Sequence, residues 1–347
     1  RVRKLFSAVI VDEAQQAKSK NSDRGRAVRA IKCKGKLILS GTLMKGYITD
    51  LYWNIGWLLG FGNPLFHYEY RGGSKAFLDE FGSYEYVTKQ YEETLSEGRA
   101  KLLPEVSNLN RFWRIFASFT IRRLKDEMIQ LPPKNRNVLV LEMDETHKSY
   151  YNQFAVWAKD EISRAIRNAE KTGEVNMGII SRSLWKLRFA GSVPTAESYL
   201  CDDYFKTPYT ASSWNKLEKI TELVKDIQAK GEKVIIFSGL RPMVSAICDT
   251  LKQSRIKYIP ITASTSTSKR LEQINLFASD PECTAIVTGL NVLNRGYTIT
   301  CATNIIITDI DYSPEATQQA EDRAHRTGQT RPVNIYYLFS RETIDET

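Results

Sequence analysis

Two arginines near the carboxyl end, Arg323 and Arg326, lie three residues apart in the segment QQAEDRAHRTGQ (318–329). The segment consists of good helix formers, so the spacing predicts that both guanidinium groups share one face of a helix. Two cations held together need an anion between them, and a planar guanidinium binds phosphate oxygens in a bidentate manner. The pattern indicates arginines that approach a nucleotide phosphate, as arginine fingers do. The alternative is a pair of surface arginines bridged to Glu321 and Asp322, which would contribute little energy.

Two carboxylates near the amino end, Asp12 and Glu13, are the candidate partners for this chemistry. They follow the apolar run LFSAVIV (5–11), which is typical of a buried parallel strand. Ligands of open α/β sheets gather at the carboxyl ends of such strands. An Asp there can hold Mg²⁺, and an adjacent Glu can polarise an attacking water. On the residues alone, an acidic turn without a catalytic role remains the alternative.

The elements that must position these residues alternate between strands and helices. A second strand, 36–39, ends in the sequence Ser-Gly-Thr (40–42), which is either a helix cap or a relay between lobes. Strand–helix alternation before residue 61 and again after residue 213 predicts an α/β fold with two doubly wound parallel sheets. We expect an incomplete first lobe at 1–143 with a mainly helical insertion at about 61–120, a helical segment and linker at 144–212, and a second lobe at 213–347.

Composition narrows the possible partners. The formal net charge of +9 makes a polyanion plausible, although mildly basic proteins are common. The five cysteines form no CxxC pair, which argues against structural zinc and a disulfide framework and suits a reducing compartment. No apolar run approaches the roughly 20 residues that a membrane-spanning helix needs. We therefore expect no zinc, no membrane partner and an intracellular location.

Six motifs follow one another along the chain in the order VIVDEAQ, LSGT, TIRRLKDEMIQLPPK, KVIIFS, ITASTSTSKRLEQINLF and QAEDRAHRTGQ. In this order they resemble the Swi/Snf-type ATPases of helicase superfamily 2, and the string RAHRTGQTRPVNIYYL is the most specific part. The resemblance extends from Val9 to about Ile344. It implies two RecA-like lobes, the first incomplete, with ATP and Mg²⁺ as cofactors and double-stranded DNA as a partner, beside a possible protein partner. The location implied is cytoplasmic and nucleoid-associated, or nuclear in a eukaryote.

The resemblance also assigns roles to single residues. Asp12, with Glu13 beside it, would hold Mg²⁺, and Glu13 would be the base for attack of water on the γ-phosphate. Arg323 and Arg326 would be the arginine fingers. The other nucleotide-site positions would be Gln15, Ser40, Gly41, Thr42, Gly296 and Gln319, and the DNA-facing positions would be Lys18, Ser264, Thr265, Ser266 and Thr288.

The sequence departs from the family pattern in several places. The Walker A motif, G-x-x-x-x-G-K-[ST], is absent from these 347 residues. We therefore expect the chain to start after that motif, to bind ATP weakly by itself and to hydrolyse none. Gln15 replaces a usual His, Leu43 replaces a usual Pro, and Leu293-Asn294 replaces a usual Gly-Gly pair.

The function implied for the complete protein is DNA-stimulated ATP hydrolysis that drives translocation on duplex DNA or remodels protein–DNA complexes. Two alternatives stay open. One is a strand-separating superfamily 2 helicase. The other is a non-catalytic scaffold for DNA or protein, which the missing Walker A motif would favour.

Overall fold

The computed structural model describes residues 6–44, 46–87, 99–172, 176–192, 214–293, 296–309 and 314–346. The chain divides into two compact units, Arg1–Arg123 and Leu124–Thr347. The boundary therefore falls before residue 143, where the sequence predicted the end of the first lobe. In the described residues, no helix combines the length and the apolarity that crossing a membrane requires.

The smaller unit combines a two-stranded parallel sheet with helices and one antiparallel hairpin. Strands β1 and β2 pair in parallel, and β3 pairs with β4 in antiparallel fashion. The hairpin shows that the insertion is mixed in secondary structure, whereas the sequence predicted it to be mainly helical. In the described part of this unit the elements are, in order, β1 (Ala8–Val11), a 3₁₀ helix (Ala14–Ala17), α1 (Asp23–Ala30), β2 (Gly35–Ile38), α2 (Thr49–Leu59), α3 (Gly73–Phe81), β3 (Gly82–Val87), β4 (Arg99–Val106) and α4 (Leu109–Ala117).

The core of this unit is aromatic and lies under α2 and α3, with Tyr52, Phe66 and Phe77 in mutual ring contact. Strand β1, by contrast, is not buried as predicted. Ile10 is 64% exposed and Leu37 on β2 is 48% exposed. Side chains alternate between the two faces of a strand. The described residues therefore cover one face of this small sheet better than the other.

The larger unit contains a six-stranded sheet in the order β5-β10-β9-β6-β8-β7. Every neighbouring pair is parallel, which confirms the predicted α/β class with a parallel sheet. In the described part of this unit the elements are α5 (Lys125–Met128), β5 (Lys134–Leu141), α6 (Glu145–Thr172), α7 (Met177–Ser192), α8 (Asn215–Ala229), β6 (Val234–Ser238), α9 (Arg241–Gln253), β7 (Tyr258–Ile261), α10 (Thr267–Ser279), β8 (Ala285–Gly289), β9 (Asn304–Ile307), α11 (Pro314–Glu321), β10 (Val333–Ser340) and a 3₁₀ helix (Ile344–Glu346).

Helices cover both faces of this sheet. On β6, Ile236 joins a core cluster with Phe154 of α6 and Val224 of α8, while Phe237 joins the opposite cluster with Phe277 of α10. Because successive strand residues point to opposite faces, a continuous apolar strand such as VIIFS must be covered twice. The doubly wound arrangement follows from that requirement.

One strand changes the predicted domain division. The sequence placed 137–143 in the first lobe, but β5 pairs with β10 along its whole length, from Lys134 opposite Val333 to Leu141 opposite Ser340. Helices α6 and α7 also pack in the larger unit, through Phe154 and Phe189. The linker predicted at 190–212 lies mostly outside the described residues.

Candidate functional site

The predicted acidic pair and the Ser-Gly-Thr motif lie side by side in the smaller unit. Val11 and Ile38 are register partners at the ends of β1 and β2, so Asp12 and Ser40 leave the sheet at the same edge. The N–H of Ala14 donates to the carbonyl of Leu39 at 3.1 Å, which ties the two outgoing loops together. The prediction that both motifs follow the carboxyl ends of strands is therefore confirmed.

Glu13 has a backbone conformation that is unusual for its residue type. Its φ of 51° and ψ of 47° lie in the left-handed region. A residue with a Cβ atom is disfavoured there, and such strain is often stored at functional positions. The 3₁₀ helix Ala14–Ala17 starts immediately after it. The sharp turn directs the Glu13 side chain away from the strand direction and towards Gln15.

A chain of hydrogen bonds connects Glu13 to the Ser-Gly-Thr motif. The side-chain amide of Gln15 donates to Glu13 Oε2, and Ser40 Oγ donates to Gln15 Oε1 at 2.6 Å. The N–H of Thr42 donates in turn to Ser40 Oγ at 3.1 Å. Gln15 is only 2% exposed, so its amide serves as a fixed link between the two loops. Gly41 is exposed beside it.

The oxygen donors at Asp12 fit a magnesium ion. Asp12 is exposed, and its Oδ1 accepts the N–H of Glu13 at 2.9 Å. Within the described residues its Oδ2 has no protein partner. Mg²⁺ usually keeps several waters and binds through one or two carboxylates together with substrate phosphates. A single accessible carboxylate is sufficient for that mode of binding.

Lys18 has an intramolecular partner. Its Nζ forms an ion pair with Asp50 Oδ2 at 2.9 Å, and the Asp50 side chain is 9% exposed. A phosphate contact by Lys18 would have to compete with this nearly buried carboxylate. The sequence predicted a DNA-facing lysine here, and that role stays a prediction for a side chain that is 37% exposed and paired with Asp50.

The arginine segment of the larger unit is not one continuous helix. Helix α11 ends at Glu321, although the sequence predicted a helix as far as Arg326. The next carbonyls are already occupied: those of Arg323, Ala324 and His325 accept from Ile299 N, Gln329 Nε2 and Lys125 Nζ. The Gln319 carbonyl, which a continuing helix would pair with the N–H of Arg323, accepts from the Arg323 guanidinium instead, and that N–H donates to the Ala320 carbonyl. The tertiary donors satisfy carbonyls that the end of the helix leaves without a helical partner.

Because the helix ends early, the two arginines differ in their surroundings. Arg323 is 7% exposed, and its guanidinium donates to the carbonyls of Tyr297 at 3.1 Å and Gln319 at 3.0 Å. Arg326 is exposed, and within the described residues its guanidinium has no hydrogen-bond or ion-pair partner. The prediction of a shared helical face was therefore wrong. Arg323 is fixed to the segment beyond Gly296, and Arg326 is available to a ligand.

Glu321 anchors the arginine segment to the sheet. The Arg136 guanidinium donates to both of its oxygens at 2.8 and 2.7 Å, and Lys134 Nζ lies 2.9 Å from Oε2. Tyr337 O–H also donates to this carboxylate. Burial alone would raise the pKa of Glu321, but the hydrogen bonds from Arg136, Tyr337 and Lys134 outweigh it and hold that pKa at about 2.

We expect Glu321→Ala to loosen the arginine segment. Removing one member of a buried ion pair costs about 3–5 kcal/mol, so amide hydrogen exchange in β5 and β10 should accelerate by roughly 150- to 4,000-fold. The control is Asp322→Asn, since that carboxylate is 33% exposed and pairs with Lys125 and Lys134 near the surface. It should change exchange less than about fivefold. Equal effects of the two variants would contradict an anchoring role for Glu321.

The same anchor predicts a pH dependence. The pKa of Glu321 falls from 4.5 to about 2 on folding, so its stabilising effect is complete above about pH 4.5. It should disappear as the pH falls through 2. Amide hydrogen exchange in β5 and β10 reports the free energy of local unfolding. The difference in this free energy between wild type and Glu321→Gln should decrease as the pH falls from about 4.5 to 2. A constant difference down to pH 2 would contradict the assignment.

Further contacts hold the turn that follows α11. Lys125 Nζ lies 2.8 Å from Asp322 Oδ1 and 2.6 Å from the His325 carbonyl. His325 Nε2 lies 2.8 Å from the Pro132 carbonyl. Gln329 is 6% exposed, and its amide donates to the carbonyls of Thr300, Ala302 and Ala324 at 3.1, 3.0 and 3.2 Å. The turn that bears Arg326 is thus fixed from several sides.

The predicted DNA-facing residues of the larger unit fall into two groups. Ser264 and Ser266 are exposed and Thr265 is half-buried, all in the loop between β7 and α10. Thr288 is fully buried on β8, between β6 and β7, so it cannot contact DNA and that prediction was wrong. Gly296 has a φ of 68°, which explains the need for glycine there.

Several supporting residues were not singled out from the sequence: Lys125, Lys134, Arg136, Arg270 and Gln329. Each acts through backbone carbonyls or through a partner nearly 200 positions away, as Lys134 does with Glu321. The spacing of residues within one segment does not predict contacts between segments that lie so far apart in the sequence. Lys134 and Gln329 lie in motifs that the sequence analysis quoted, but the residues next to them in the sequence do not indicate which groups they contact.

Known proteins share this arrangement of segments. Residues 2–188 match the family model of the SNF2-related domain, and residues 215–328 match that of the helicase conserved C-terminal domain. The chain is 28% identical to the bovine (Bos taurus) DNA annealing helicase and endonuclease ZRANB3, over 98% of this chain and 28% of that protein. It is 26% identical to the uncharacterized ATP-dependent helicase MG018 of Mycoplasma genitalium, over 99% of this chain and 29% of that protein.

A solved structure resembles the larger part of the fold. The crystal structure of the C-terminal part of the Fun30 ATPase domain superposes with a TM-score of 0.51 at 23% identity, covering 62% of this chain and 88% of that one. At this level of identity the likeness concerns the fold. It supports RecA-like α/β architecture. The chain spans less than a third of the length of the two curated relatives.

Proposed function

The chain belongs to the SNF2-related family, and on that premise we propose that it is part of a DNA-dependent ATPase that translocates on double-stranded DNA. The relatives' names, which include a DNA annealing helicase, support a DNA substrate. The net charge of +9 is consistent with binding to a phosphate backbone. We also propose an intracellular, DNA-associated location.

The smaller unit supplies the carboxylate chemistry in this proposal. Asp12 would hold Mg²⁺, and the ion would offset negative charge on the nucleotide phosphates. Glu13 accepts a proton from the attacking water as general base. Its hydrogen bond from Gln15 fixes the carboxylate and leaves Oε1 for the water. Gln15 and Ser40 connect this carboxylate to Thr42, so a shift of the carboxylate would reach the loop that follows β2.

The larger unit supplies the arginine chemistry. Arg326, exposed on a fixed turn, offsets negative charge that develops on the transferring phosphoryl group. Arg323 positions that turn by binding the carbonyls of Tyr297 and Gln319. The loop at 264–266 offers hydroxyl and amide groups to DNA phosphates, which gives contact without base recognition.

The observation that carries the proposal is the hydrogen-bonded link from Glu13 through Gln15 to Ser40 and Thr42. A non-catalytic acidic turn would not need a strained Glu whose carboxylate is tied to the next strand end. The link explains how a catalytic carboxylate can respond to events at a second loop. It also gives Gln15 a role in place of the usual His.

Translocation and strand separation make different predictions for the full natural chain that includes these residues. We expect ATP-dependent displacement of a third strand from a DNA triplex, because a duplex translocase moves along the backbone. We expect no comparable separation of a plain duplex under the same conditions. Duplex unwinding without triplex displacement would favour the strand-separating helicase. DNA binding with neither activity and no ATP turnover would favour the scaffold.

A further inference from the structure

Arg270, on the first turns of α10, makes an unusual set of contacts. Its Nε donates to the carbonyl of Thr265 at 2.8 Å, and one terminal nitrogen donates to the carbonyl of Val292 at 2.9 Å. The other terminal nitrogen lies 3.4 and 3.3 Å from the carbonyls of Thr262 and Ala263. One half-buried guanidinium therefore binds four backbone carbonyls and, among the described residues, no carboxylate.

These carbonyls belong to two different loops at the same edge of the sheet. Three lie in the loop 262–266, which follows β7, and the fourth lies in the loop that follows β8. β7 and β8 are parallel neighbours, so both loops leave their carboxyl ends. Val292 itself is held in a turn, since its N–H donates to the Gly289 carbonyl at 2.9 Å. Arg270 thus joins the two loops.

The loop that binds Arg270 through its carbonyls also carries N–H groups that have no acceptor among the described residues. Within the described residues, the N–H groups of Ala263, Ser264 and Ser266 donate to no protein acceptor. The hydroxyls of Thr262 and Ser264 lie 2.8 Å apart, and Ser266 caps α10 by accepting from Lys269 N. N–H groups without a protein acceptor, together with nearby hydroxyls, are the donors that phosphate oxygens accept from.

We propose that Arg270 is a positioning residue for DNA binding: it fixes the loop 262–266 against the loop after β8, so that the free N–H and hydroxyl groups face a DNA phosphate. This inference rests on the proposed function, because it assumes that the loop contacts double-stranded DNA. Arg270 itself does not contact the phosphate. Its planar fork reaches both loops at once, and a lysine ammonium cannot reproduce that geometry.

The test compares dsDNA affinity and its salt dependence for wild type, Arg270→Lys and Arg270→Gln in the full natural chain. We expect both variants to bind about tenfold more weakly, which corresponds to one or two lost loop–phosphate hydrogen bonds. The slope of log affinity against log salt should stay unchanged, because no phosphate-neutralising cation is lost. Lys252→Gln, an exposed charge removal on α9, should leave affinity within about twofold.

A direct phosphate contact by Arg270 predicts another pattern, which would overturn the proposal. Arg270→Lys would then bind like wild type, and only Arg270→Gln would weaken binding and reduce the salt slope by about 0.9. Unchanged affinity in both variants, with normal wild-type binding, would also overturn it while leaving the proposed function intact. Absence of wild-type binding to dsDNA would contradict the proposed function.

Hydrogen exchange of the wild-type protein gives a test that does not depend on how the variants fold. Addition of dsDNA should slow exchange of the Ser264 and Ser266 amides, because their N–H groups then donate to phosphate. Amides of β10, such as Val333, serve as an internal reference and should not change. No slowing at 264 and 266 under saturating dsDNA would overturn the proposal.

Discussion

Arg326→Ala should lower the turnover number for ATP hydrolysis by the full natural chain about 10³- to 10⁵-fold, the range known for arginine fingers. Arg326 is the member of the pair that is exposed and without a protein partner among the described residues. Its loss should leave a fixed, empty turn, since Glu321 and Gln329 hold that turn without it. The apparent KM for ATP should change far less than the turnover number.

Matched variants distinguish a direct role of Arg326 in ATP hydrolysis from a structural role. Arg326→Lys keeps the charge but loses the fork, so it should still lower turnover more than about tenfold. Arg331→Ala removes another exposed arginine of the same segment and should leave turnover within about twofold. Normal turnover in Arg326→Ala would contradict the assignment of the finger.

Arg323→Ala should differ from Arg326→Ala in a measurable way. The Arg323 guanidinium binds the carbonyls of Tyr297 and Gln319. Its removal should therefore accelerate amide exchange at 297–299, in addition to lowering turnover. Arg326→Ala should leave that exchange unchanged. The opposite result, with altered exchange only in Arg326→Ala, would reverse the roles of the two arginines.

The sequence predicted the alternation of elements well because each one has a local signal. The run VIIFS is apolar throughout, and its strand is covered on both faces. Asp12 and Ser40 each follow an apolar strand, and parallel strands bring their carboxyl ends to one edge. Local patterns therefore placed the acidic pair beside the Ser-Gly-Thr motif.

Predictions that depended on long-range contacts were less successful. Helix propensity favoured a helix through Arg326, but the helix ends at Glu321, where the Arg323 guanidinium takes the Gln319 carbonyl and contacts from Lys125 and Ile299 hold the turn that follows. The strand at 134–141 follows the first unit in sequence, yet it pairs with β10 almost 200 residues later. Thr288 is polar, but it lies in a central strand and is fully buried. The helix end, the strand pairing and the burial of Thr288 all depend on contacts with distant segments, so the local sequence does not predict them.

Glu13→Gln should reduce ATP hydrolysis about 10²- to 10⁴-fold, the usual contribution of a general base. The amide keeps the size of the carboxylate and can still hydrogen-bond with Gln15, but it cannot accept a proton from water. Binding of dsDNA should remain within about threefold of wild type, because the DNA-facing loop at 264–266 is in the other unit. Glu127→Gln is the matched control, since Glu127 is an exposed carboxylate outside the site.

The most direct measurement is the rate of ATP hydrolysis by the full natural chain, with and without dsDNA, for wild type and Glu13→Gln. We predict that dsDNA raises the wild-type rate at least about tenfold, a modest effect on the scale of allosteric coupling energies. The Glu13→Gln protein should stay inactive in both conditions while it still binds dsDNA. A wild-type rate that does not respond to dsDNA, or one that survives in Glu13→Gln, would contradict a DNA-dependent ATPase that uses this carboxylate.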